Sequence, residues 1–475
     1  MNTLKKNYIY NLAYQVLAII VPIITTPYVS RSLGANGIGE FSYTNSIVLY
    51  FSIFALTGTA SFGQKSIAKA QSDIHSRSIL FWEVFLFRLI CTVFVCVVYI
   101  VFFVFFMPQY RLLYAINLLT VFSWIVDISW FFQGIEDFKT IVIRNCIVKI
   151  IGTILIFVFI HQPSDVWKYT LIYVATNLLG NLSMWLHFKK SVIKVSLDEI
   201  EVASQFRPII ELFLPVVAVQ VYALLNKTML GTLFNATEVG FYTQAERIIQ
   251  LLQTIVASIT TILLPRFASL YQESNWKQID IYSKKTIDYI FCLSVPMISG
   301  CMCIADLFVP LFFGPGYQPV TSIMCVQCML LTIVSLGQFL GTYLIAVDRQ
   351  RQYTIAVTVT MLCNVVLNLI LIKPFGALGA SIATVCSELV ATALQFWFLR
   401  YSLNCKYVFK SFIHYLIPSA IMFVTIQILR IVSFGIGTLS MLILCLFTGL
   451  FVYVFYLLLV KDAFMFSLLK HKKFS

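Results

Sequence analysis

Charged residues are scarce in this sequence: Asp, Glu, Lys and Arg make up 11% of its 475 residues, whereas about 25% is usual for a soluble domain. The mean hydropathy of +0.90 and the hydrophobic content of 60% exclude an ordinary water-soluble fold. No long polar block interrupts the apolar runs between Tyr8 and Val460, and a run of about 18 apolar residues can cross a bilayer. The composition therefore predicts an all-α polytopic membrane protein.

Several motifs are missing as well. The sequence has no G-x-x-x-x-G-K-[ST] loop, which excludes ATP binding through a Walker motif. The twelve cysteines lie mostly inside apolar runs, where they behave as small hydrophobic residues. Cys325 and Cys328 have the spacing of a zinc or redox pair, but no histidine is close to them in the sequence. We therefore predict no disulfide framework, no metal site and no cofactor.

Fourteen apolar segments separated by polar breaks predict fourteen transmembrane helices. Their predicted bounds are 8–30, 38–59, 79–106, 112–133, 141–160, 167–188, 209–233, 240–265, 287–312, 320–346, 353–372, 376–399, 412–430 and 437–460. An even number of spans places both termini on one side of the membrane. The loops on the other side hold only Arg31, Arg111, Lys168, Lys373 and Arg430. Because cytoplasmic loops collect Lys and Arg, both termini should be cytoplasmic.

The formal net charge of +13 follows from this predicted topology. The sequence contains no compact basic domain that could present a nucleic-acid footprint, so no nucleic-acid partner is predicted. The outer loops are short. They leave no room for an extracytoplasmic catalytic or recognition domain.

The two halves of the chain resemble each other at an offset of about 200 to 212 residues. LGANGIGEFSY from Leu33 matches LFNATEVGFYT from Leu233, and IEDFKTIVIRN from Ile135 matches VDRQRQYTIAV from Val347. An ordered echo of this kind predicts duplication of a six-helix unit, with the two copies related by an axis along the membrane normal. The predicted domains are an N-terminal six-helix lobe at 1–188, a cytoplasmic linker at 189–208, a C-terminal six-helix lobe at 209–400, and two extra helices with a basic cytoplasmic tail at 401–475.

Two segments carry a family resemblance. PYVSRSLGANGIGEFS, from Pro27, and VGFYTQAERI, from Val239, resemble the Wzx-type polysaccharide-biosynthesis flippases of the multidrug/oligosaccharidyl-lipid/polysaccharide superfamily. The resemblance covers residues 1 to 460 in topology. It implies two MATE-like six-helix lobes around a central cavity that opens alternately to either side of the bacterial cytoplasmic (inner) membrane.

The resemblance also implies a substrate and partners. The substrate would be a polyprenyl-diphosphate-linked oligosaccharide, the repeat unit of O-antigen lipopolysaccharide, capsule or exopolysaccharide, moved from the inner to the outer leaflet. Membrane lipids and the polymerase and chain-length proteins of the same pathway are the implied partners. Because the Walker motif is missing, transport would be driven by a proton or sodium gradient or by substrate flux.

Charges inside the predicted helices are candidates for function. A charged side chain in hydrocarbon costs at least about 2.5 kcal/mol, so each one is a functional candidate until a partner accounts for it. These residues are Arg88, Asp127, Lys149, Lys227, Glu246, Arg247, Asp306 and Glu388. Matching depths predict an ion pair between Asp127 and Lys149 and another between Lys227 and Glu246. Arg88 and Arg247 then remain as cations.

The candidate substrate-binding residues are Arg31, Arg247, Lys227, Lys149 and Arg88. Arg31 and Arg247 lie near the outer boundary in helices that line the cavity of the resembling family. A guanidinium group donates bidentate hydrogen bonds to phosphate oxygens, so we predict that these two arginines receive the diphosphate. Snorkelling to the interface is the alternative for Arg31.

Acidic residues supply the candidates for ion coupling, which are Asp127, Glu388 and Asp306. Glu388 falls near the middle of the twelfth predicted helix, where a carboxylate can carry a coupling proton. A hydrogen-bonded structural role is the alternative for Glu388.

Prolines supply the candidate hinges. Pro22 and Pro27 in the first predicted helix and Pro215 in the seventh remove backbone hydrogen bonds in helices that correspond between the two lobes. Static kinks are the alternative.

Other functions have different sequence requirements. A drug or cation antiporter of the same superfamily needs acidic cavity walls, whereas the helices that line the family's cavity carry more Lys and Arg than Asp and Glu here. A polymerase would be expected to have a sizeable outer loop with catalytic Arg or Asp, and an integral acyltransferase an intramembrane histidine. His161, His187 and His414 lie at predicted helix ends. The sequence therefore predicts a transporter and not an enzyme.

Overall fold

The computed structural model describes residues 3–56, 58–106, 109–188, 191–258, 260–432, 435, 437–462 and 464–465. Within these ranges all regular structure is helical. The helices are α1 (Thr3–Leu56), α2 (Thr59–Lys69), α3 (Ile74–Phe106), α4 (Arg111–Val126), α5 (Ser129–Gly134), α6 (Phe138–Phe159), α7 (Val166–Phe188), α8 (Phe206–Leu233), α9 (Ala236–Ala257), α10 (Thr260–Gln272), α11 (Trp276–Phe313), α12 (Pro319–Gln327), α13 (Leu330–Ala346), α14 (Gln350–Phe398), α15 (Cys405–Val432) and α16 (Thr438–Leu459).

Several of the helical stretches are long and apolar enough to span a membrane. Nine helical stretches in the described ranges meet both conditions. Helices are the form expected of such a chain because a backbone in lipid must satisfy its own N–H and C=O groups. The predicted fold class, an all-α polytopic membrane protein, is confirmed.

Two of the helices are each broken at a glycine. α1 has 54 residues and α14 has 49, which would make straight helices of about 80 Å and 74 Å, far longer than a hydrocarbon core of about 30 Å. Gly34 has φ 68° and ψ 174°, and Gly376 has φ 55° and ψ −131°. Glycine adopts such conformations without a steric penalty. Each break separates two spans, in agreement with the predicted pairs 8–30 with 38–59 and 353–372 with 376–399.

The other predicted spans also coincide with helices. Three of them are divided between two consecutive helices: 112–133 between α4 and α5, 240–265 between α9 and α10, and 320–346 between α12 and α13. The segments 167–188 and 209–233 correspond to α7 and α8. All fourteen predicted spans therefore fall on helices.

The chain divides into two compact units, an N-terminal unit Met1–Gly240 and a C-terminal unit Phe241–Ser475. The predicted division into lobes at 1–188 and 209–400, with two extra helices after residue 400, stays a prediction. Lys189 and Lys190 at the start of the predicted linker, and residues 466–475 of the predicted basic tail, lie outside the described part of the chain.

The N-terminal unit is built around α7 and α1. α4 and α6 both pack against α7, while α1 packs against α3, α6 and α8. An aromatic cluster joins α3, α5 and α7: Phe81 stacks on Trp130 at 5.4 Å between ring centroids and contacts Phe188 at 4.3 Å. This cluster fixes one end of the helices that carry the polar residues described below.

In the C-terminal unit, α11 packs against α15 and α16, and α13 packs against α10 and α14. Polar contacts reinforce the first group of helices. Asp288 of α11 accepts hydrogen bonds from Tyr407 at 2.6 Å and Ser411 at 2.5 Å. His414 of α15 contacts Asp462, which follows α16, at 2.9 Å. α15 and α16 are therefore fastened to α11 by polar side chains as well as by apolar packing.

The connection between α7 and α8 runs along one end of α3. Arg77 donates to the carbonyl of Ser191 at 2.8 Å. Glu83 accepts hydrogen bonds from the backbone N–H of Glu201 at 3.0 Å and from Gln205 at 2.9 Å. The described part of the predicted linker is thus held against the N-terminal unit by α3.

Candidate functional site

A break between α4 and α5 exposes backbone groups at Asp127. The residue has φ −74° and ψ 106°, which ends α4. Its Oδ1 accepts a hydrogen bond from the backbone N–H of Ser129 at 3.0 Å, so the carboxylate caps the following short helix. The side chain is 27% exposed. The break therefore places a negative charge where backbone hydrogen bonding is interrupted.

Arg88 of α3 occupies this break. Its Nη1 donates to the carbonyl of Asp127 at 2.9 Å, and its Nη2 lies 3.5 Å from Asp127 Oδ2. Arg88 is 1% exposed. Its guanidinium therefore satisfies the backbone that the break leaves open and neutralises the capping carboxylate.

This contact corrects the predicted pairing of Asp127 with Lys149. The two residues were matched because their depths along α4 and α6 agree. However, α4 packs against α7, α3 and α1, while α6 packs against α7, α1 and α5, and the residue of α3 that reaches the end of α4 is Arg88. Asp127 therefore faces α3, and its ionic partner is Arg88. The expectation that Arg88 is left without an acidic partner is wrong for the same reason.

A second set of polar contacts links α6, α7 and α4 one turn away. Arg144 donates to Asn181 Oδ1 at 2.8 Å, and Asn181 donates to the carbonyl and hydroxyl oxygens of Ser123 at 3.0 Å and 2.8 Å. Trp185 Nε1 donates to the carbonyl of Val126 at 2.8 Å. Beside these contacts is a cavity of about 200 Å³ lined in part by Arg144, Thr176 and Gly180.

The predicted coupling residue Asp306 has a basic partner in the C-terminal unit. Its Oδ2 lies 2.5 Å from Arg430 Nη2, and Arg430 Nη1 donates to the carbonyl of Cys303 at 2.7 Å. Arg430 lies in the last turn of α15, at the end of the predicted span 412–430. Asp306 is therefore part of an ion pair that joins α11 to α15.

The other predicted site residues are placed as follows. Arg31 lies exposed on α1, one turn before the break at Gly34. Lys149 on α6, Lys227 on α8, Arg247 on α9 and Glu388 on α14 are all half-buried. Their roles in substrate binding or coupling, and the pairing of Lys227 with Glu246, stay predictions.

The candidate hinge prolines lie inside continuous helix. Pro22 and Pro27 are within α1, and the non-helical residue of that helix is Gly34. Pro215 falls within the range of α8, although its side chain lies outside the described residues. A hinge role for the three prolines stays a prediction.

Sequence reasoning from charge missed a buried column of uncharged polar residues in the C-terminal unit. Asn368 donates to Asn364 at 2.9 Å, and Asn364 donates to Ser387 at 3.2 Å. Gln327 of α12 donates to Ser381 at 3.0 Å. These residues join the two halves of α14, and α12, beside the break at Gly376. Two asparagines spaced four residues apart in an apolar helix were the signal that could have revealed the column.

A larger cavity, which we call the loop cavity, lies in the N-terminal unit where the break of α1, the start of α4 and the turn before α7 meet. Its volume is about 490 Å³. The residues that line it include Asn36, Glu40, Tyr110, Ser164 and Trp167, together with apolar residues of α1 and α4.

The turn before α7 is fixed by one buried carboxylate. Asp165 accepts hydrogen bonds from the backbone N–H groups of His161 at 3.0 Å and Gln162 at 3.2 Å and pairs with Lys168 at 2.7 Å. The bond from Lys168 and these backbone donors lower the pKa of Asp165 to about 2. The turn that presents Ser164 and Trp167 is therefore held by an ionised side chain at neutral pH.

Solved structures with a similar fold are transporters. The chain matches "Lipid II flippase MurJ, inward closed conformation" with a TM-score of 0.72 at 14% identity, covering 96% of this chain and 99% of that one. It also matches an inward-facing multidrug resistance MATE family transporter of the MOP superfamily with a TM-score of 0.60 at 16% identity, covering 81% of this chain and 97% of that one. At these identities the matches show the fold, and they confirm the MATE-like architecture that the sequence predicts.

Sequence comparison gives the family. The chain is 26% identical over 420 residues to the "Putative O-antigen transporter" of Escherichia coli (strain K12), covering 84% of this chain and 98% of that protein. The family model described as "Polysaccharide biosynthesis protein" matches residues 4–271, more than half of the chain. The resemblance carried by the segments from Pro27 and Val239 is thereby confirmed, and the chain belongs to the polysaccharide biosynthesis protein family.

Proposed function

We propose that this protein is a flippase that moves a polyprenyl-diphosphate-linked oligosaccharide repeat unit from the inner to the outer leaflet of the membrane by alternating access. The observation that carries the proposal is membership of the polysaccharide biosynthesis family, together with similarity over 98% of a relative named as an O-antigen transporter. The structural match named as a lipid II flippase adds a second protein of this fold whose title names a lipid-linked substrate.

The orientation follows from the charge asymmetry of the loops. Cytoplasmic loops collect Lys and Arg, so both termini and the connection between α7 and α8 face the cytoplasm. Similarity to the Escherichia coli relative supports the bacterial inner membrane as the location. The protein acts as a transporter without an enzymatic step. The pathway's polymerase and chain-length proteins take up the glycan on the outer side.

Among the candidate cations, we assign Arg88 a structural role. Arg88 is buried and bonded to Asp127, an arrangement that supports the backbone of the α4–α5 break. Arg31 and Arg247 are retained as ligands of the diphosphate because guanidinium groups suit phosphate oxygens. Lys149 and Lys227 contribute positive charge. Glu388 is retained as the residue that couples transport to a proton or sodium gradient, because a carboxylate near the middle of a predicted span can carry a coupling proton.

Reconstitution tests the proposal. The purified protein in liposomes should move a fluorescent polyprenyl-diphosphate oligosaccharide between leaflets without ATP, measured by the fraction of label accessible to an impermeant quencher. Imposed proton and sodium gradients, applied separately, identify the coupling ion. Protein-free liposomes provide the control for spontaneous movement.

A cationic dye tests the alternative of a drug antiporter, since the MATE transporter shares the fold. Movement of ethidium in the same liposomes, with no movement of several lipid-linked oligosaccharides, would replace the flippase by an antiporter. In cells, deletion of the gene should stop surface display of a glycan and leave its lipid-linked unit in the inner leaflet.

A further inference from the structure

The loop cavity has the size and walls of a binding site for a small ligand. Ligand pockets are typically about 300 to 1,000 Å³ and combine apolar walls with a few polar groups. The loop cavity measures about 490 Å³, and its apolar walls include Leu33, Leu112 and Leu113. It lies entirely within the N-terminal unit. The flippase mechanism proposed above makes no use of it.

One wall of the cavity is an oriented amide and carboxylate pair one helical turn apart. Asn36 Nδ2 donates to Glu40 Oε1 at 2.8 Å, and Asn36 Oδ1 accepts from Thr237 at 3.2 Å. Among the hydrogen bonds of the described residues, none involves the second carboxylate oxygen, Glu40 Oε2. Glu40 therefore offers a charged acceptor to a ligand while its neighbour holds it in position.

Two aromatic residues, Tyr110 and Trp167, also line the cavity. Tyr110, the residue before α4, has φ 62°, a left-handed conformation that is unusual for a bulky side chain. Trp167 follows directly after the turn that Asp165 fixes, and the residue is 40% exposed. The ammonium group of Lys168 lies 5.8 Å from the centre of the Trp167 ring. The protein thus holds an exposed indole beside a phenol and hydrogen-bonding groups.

We propose that the loop cavity binds one pyranose ring of a saccharide. The apolar C–H face of a pyranose can pack on the indole of Trp167, while its hydroxyl groups donate to Glu40 and exchange hydrogen bonds with Ser164 and Tyr110. A phosphate group fits poorly, because the lining contains a carboxylate and neither Lys nor Arg.

This inference rests on the proposed function, since it assigns the cavity to the glycan part of the flipped lipid. In the proposed orientation the three segments that form the loop cavity lie at the outer end of the N-terminal unit. The cavity would hold a sugar of the repeat unit as it reaches the outer side. The diphosphate would be bound elsewhere, by arginines.

The test measures binding of soluble sugars directly. Full-length protein labelled with 5-fluorotryptophan is titrated in detergent with methyl pyranosides of the gluco, galacto, manno and 2-acetamido series. The ¹⁹F resonance of Trp167 is assigned with Trp167→Phe, and the resonance of Trp276, exposed on the C-terminal unit, serves as the internal control. At least one pyranoside should shift the Trp167 resonance saturably and leave that of Trp276 unchanged.

Two variants and two other probes decide the interpretation. Glu40→Gln, which keeps the shape of the side chain, should weaken binding by about tenfold or more because a charged acceptor is lost. Inorganic phosphate should leave the Trp167 resonance unchanged. If no pyranoside shifts this resonance at concentrations up to about 100 mM, well above a millimolar dissociation constant, or if ethidium shifts it and sugars do not, the assignment is wrong.

A separate readout distinguishes failure of this assignment from failure of the flippase proposal. Trp167→Ala should slow flipping of a polyprenyl-diphosphate oligosaccharide in liposomes several-fold, whereas Trp167→Phe, which keeps an aromatic ring, should retain most of the rate. Equal rates for wild type and Trp167→Ala would refute the sugar site and leave the flippase intact. Absence of flipping by the wild type would refute the flippase proposal, whatever the result of the sugar titration.

Discussion

Replacing Asp127 by Ala should strongly destabilise the N-terminal unit. The substitution leaves the guanidinium of Arg88, which is 1% exposed, buried without its acidic partner, and it removes the cap on the N–H of Ser129. Removing one partner of a buried ion pair typically costs about 3 to 5 kcal/mol, and a lost cap about 1 kcal/mol. Because the Asp127 side chain is 27% exposed, water can reach the site, and we expect a total below the sum of these two costs, about 3 kcal/mol.

Asp127→Asn separates charge from capping. Asn keeps the shape of the side chain and can still accept from the N–H of Ser129, so the cost should be confined to the ionic contact at 3.5 Å and lie near 1.5 kcal/mol. At about 2 °C per kcal/mol for a unit of this size, the thermal midpoint should fall by about 6 °C for Asp127→Ala and about 3 °C for Asp127→Asn. Intrinsic tryptophan fluorescence of the purified protein in detergent reports the midpoint.

A double-mutant cycle with Arg88→Met completes the assay. If the two side chains stabilise each other, Arg88→Met combined with Asp127→Asn should cost clearly less than the sum of the single changes. Additivity within about 0.5 kcal/mol would refute the ion pair as a source of stability. An unchanged midpoint in Asp127→Asn with complete loss of flipping would instead assign Asp127 to ion coupling, as the sequence predicts.

Three further predictions concern binding of the diphosphate, the turn before α7 and the close backbone contact at Gly39. Arg31→Gln and Arg247→Gln should each reduce glycan export by roughly ten- to a hundredfold at equal protein level, because charged donors contribute about 1.5 to 3 kcal/mol each. Arg247→Lys should retain an intermediate rate, since it keeps the positive charge but loses the two parallel N–H donors of the guanidinium group. Because the folded-state pKa of Asp165 is depressed to about 2, its stabilisation of the turn is present at pH 4 and above and is lost as pH falls toward 2. Hydrogen exchange at the amide of His161, corrected for the intrinsic rate, should show this loss, and Asp165→Asn should reduce protection at pH 7. Gly39→Ala should cost about 1 to 3 kcal/mol or more from overpacking, because an added Cβ would lie 1.6 Å from the carbonyl oxygen of Ala236. A lower thermal midpoint would measure this cost.

Matched variants control these three experiments. Arg400→Gln, exposed after α14, should leave export unchanged, and wild-type export in the Arg31→Gln and Arg247→Gln double variant would eliminate the diphosphate assignment. Protection of the turn that persists unchanged in Asp165→Asn would show that the carboxylate is dispensable there. Gly300→Ala should be tolerated because an added Cβ at Gly300 meets no atom within 4 Å. Equal effects at Gly39 and Gly300 would contradict the predicted overpacking at Gly39.

The helices could be predicted because the membrane imposes a strong and local constraint. An apolar run of the right length must satisfy its backbone internally, so composition alone indicates where the spans lie. The family could be predicted for a related reason: the segment from Pro27 holds Gly34, whose backbone the break of α1 requires, and such requirements leave recognisable short motifs. Neither inference depends on which helices are neighbours.

The pairing of charges did depend on neighbours, and there the sequence was insufficient. Depth along a helix places Asp127 and Lys149 at the same level, but it does not say that α3 faces the break of α4. The buried column of Asn364, Asn368 and Ser387 was missed because the candidate residues were selected by charge, which amides and hydroxyls lack, even though each must find partners once it is buried. Charge marks a candidate residue in a sequence, whereas only packing determines what the residue contacts.

The predicted internal repeat includes one place where a weak sequence signal coincides with a close contact between two backbones. A Cβ at Gly39 would lie 1.6 Å from the carbonyl oxygen of Ala236, and a Cβ at Gly240 would lie 1.9 Å from that of Ala35. Gly39 and Gly240 are separated by the same interval as Ala35 and Ala236, so each glycine contacts the equivalent of the other's neighbour. Two copies of one segment that cross about a local two-fold axis produce such reciprocal contacts. These reciprocal contacts support the predicted duplication at a place where the two backbones approach too closely for any side chain.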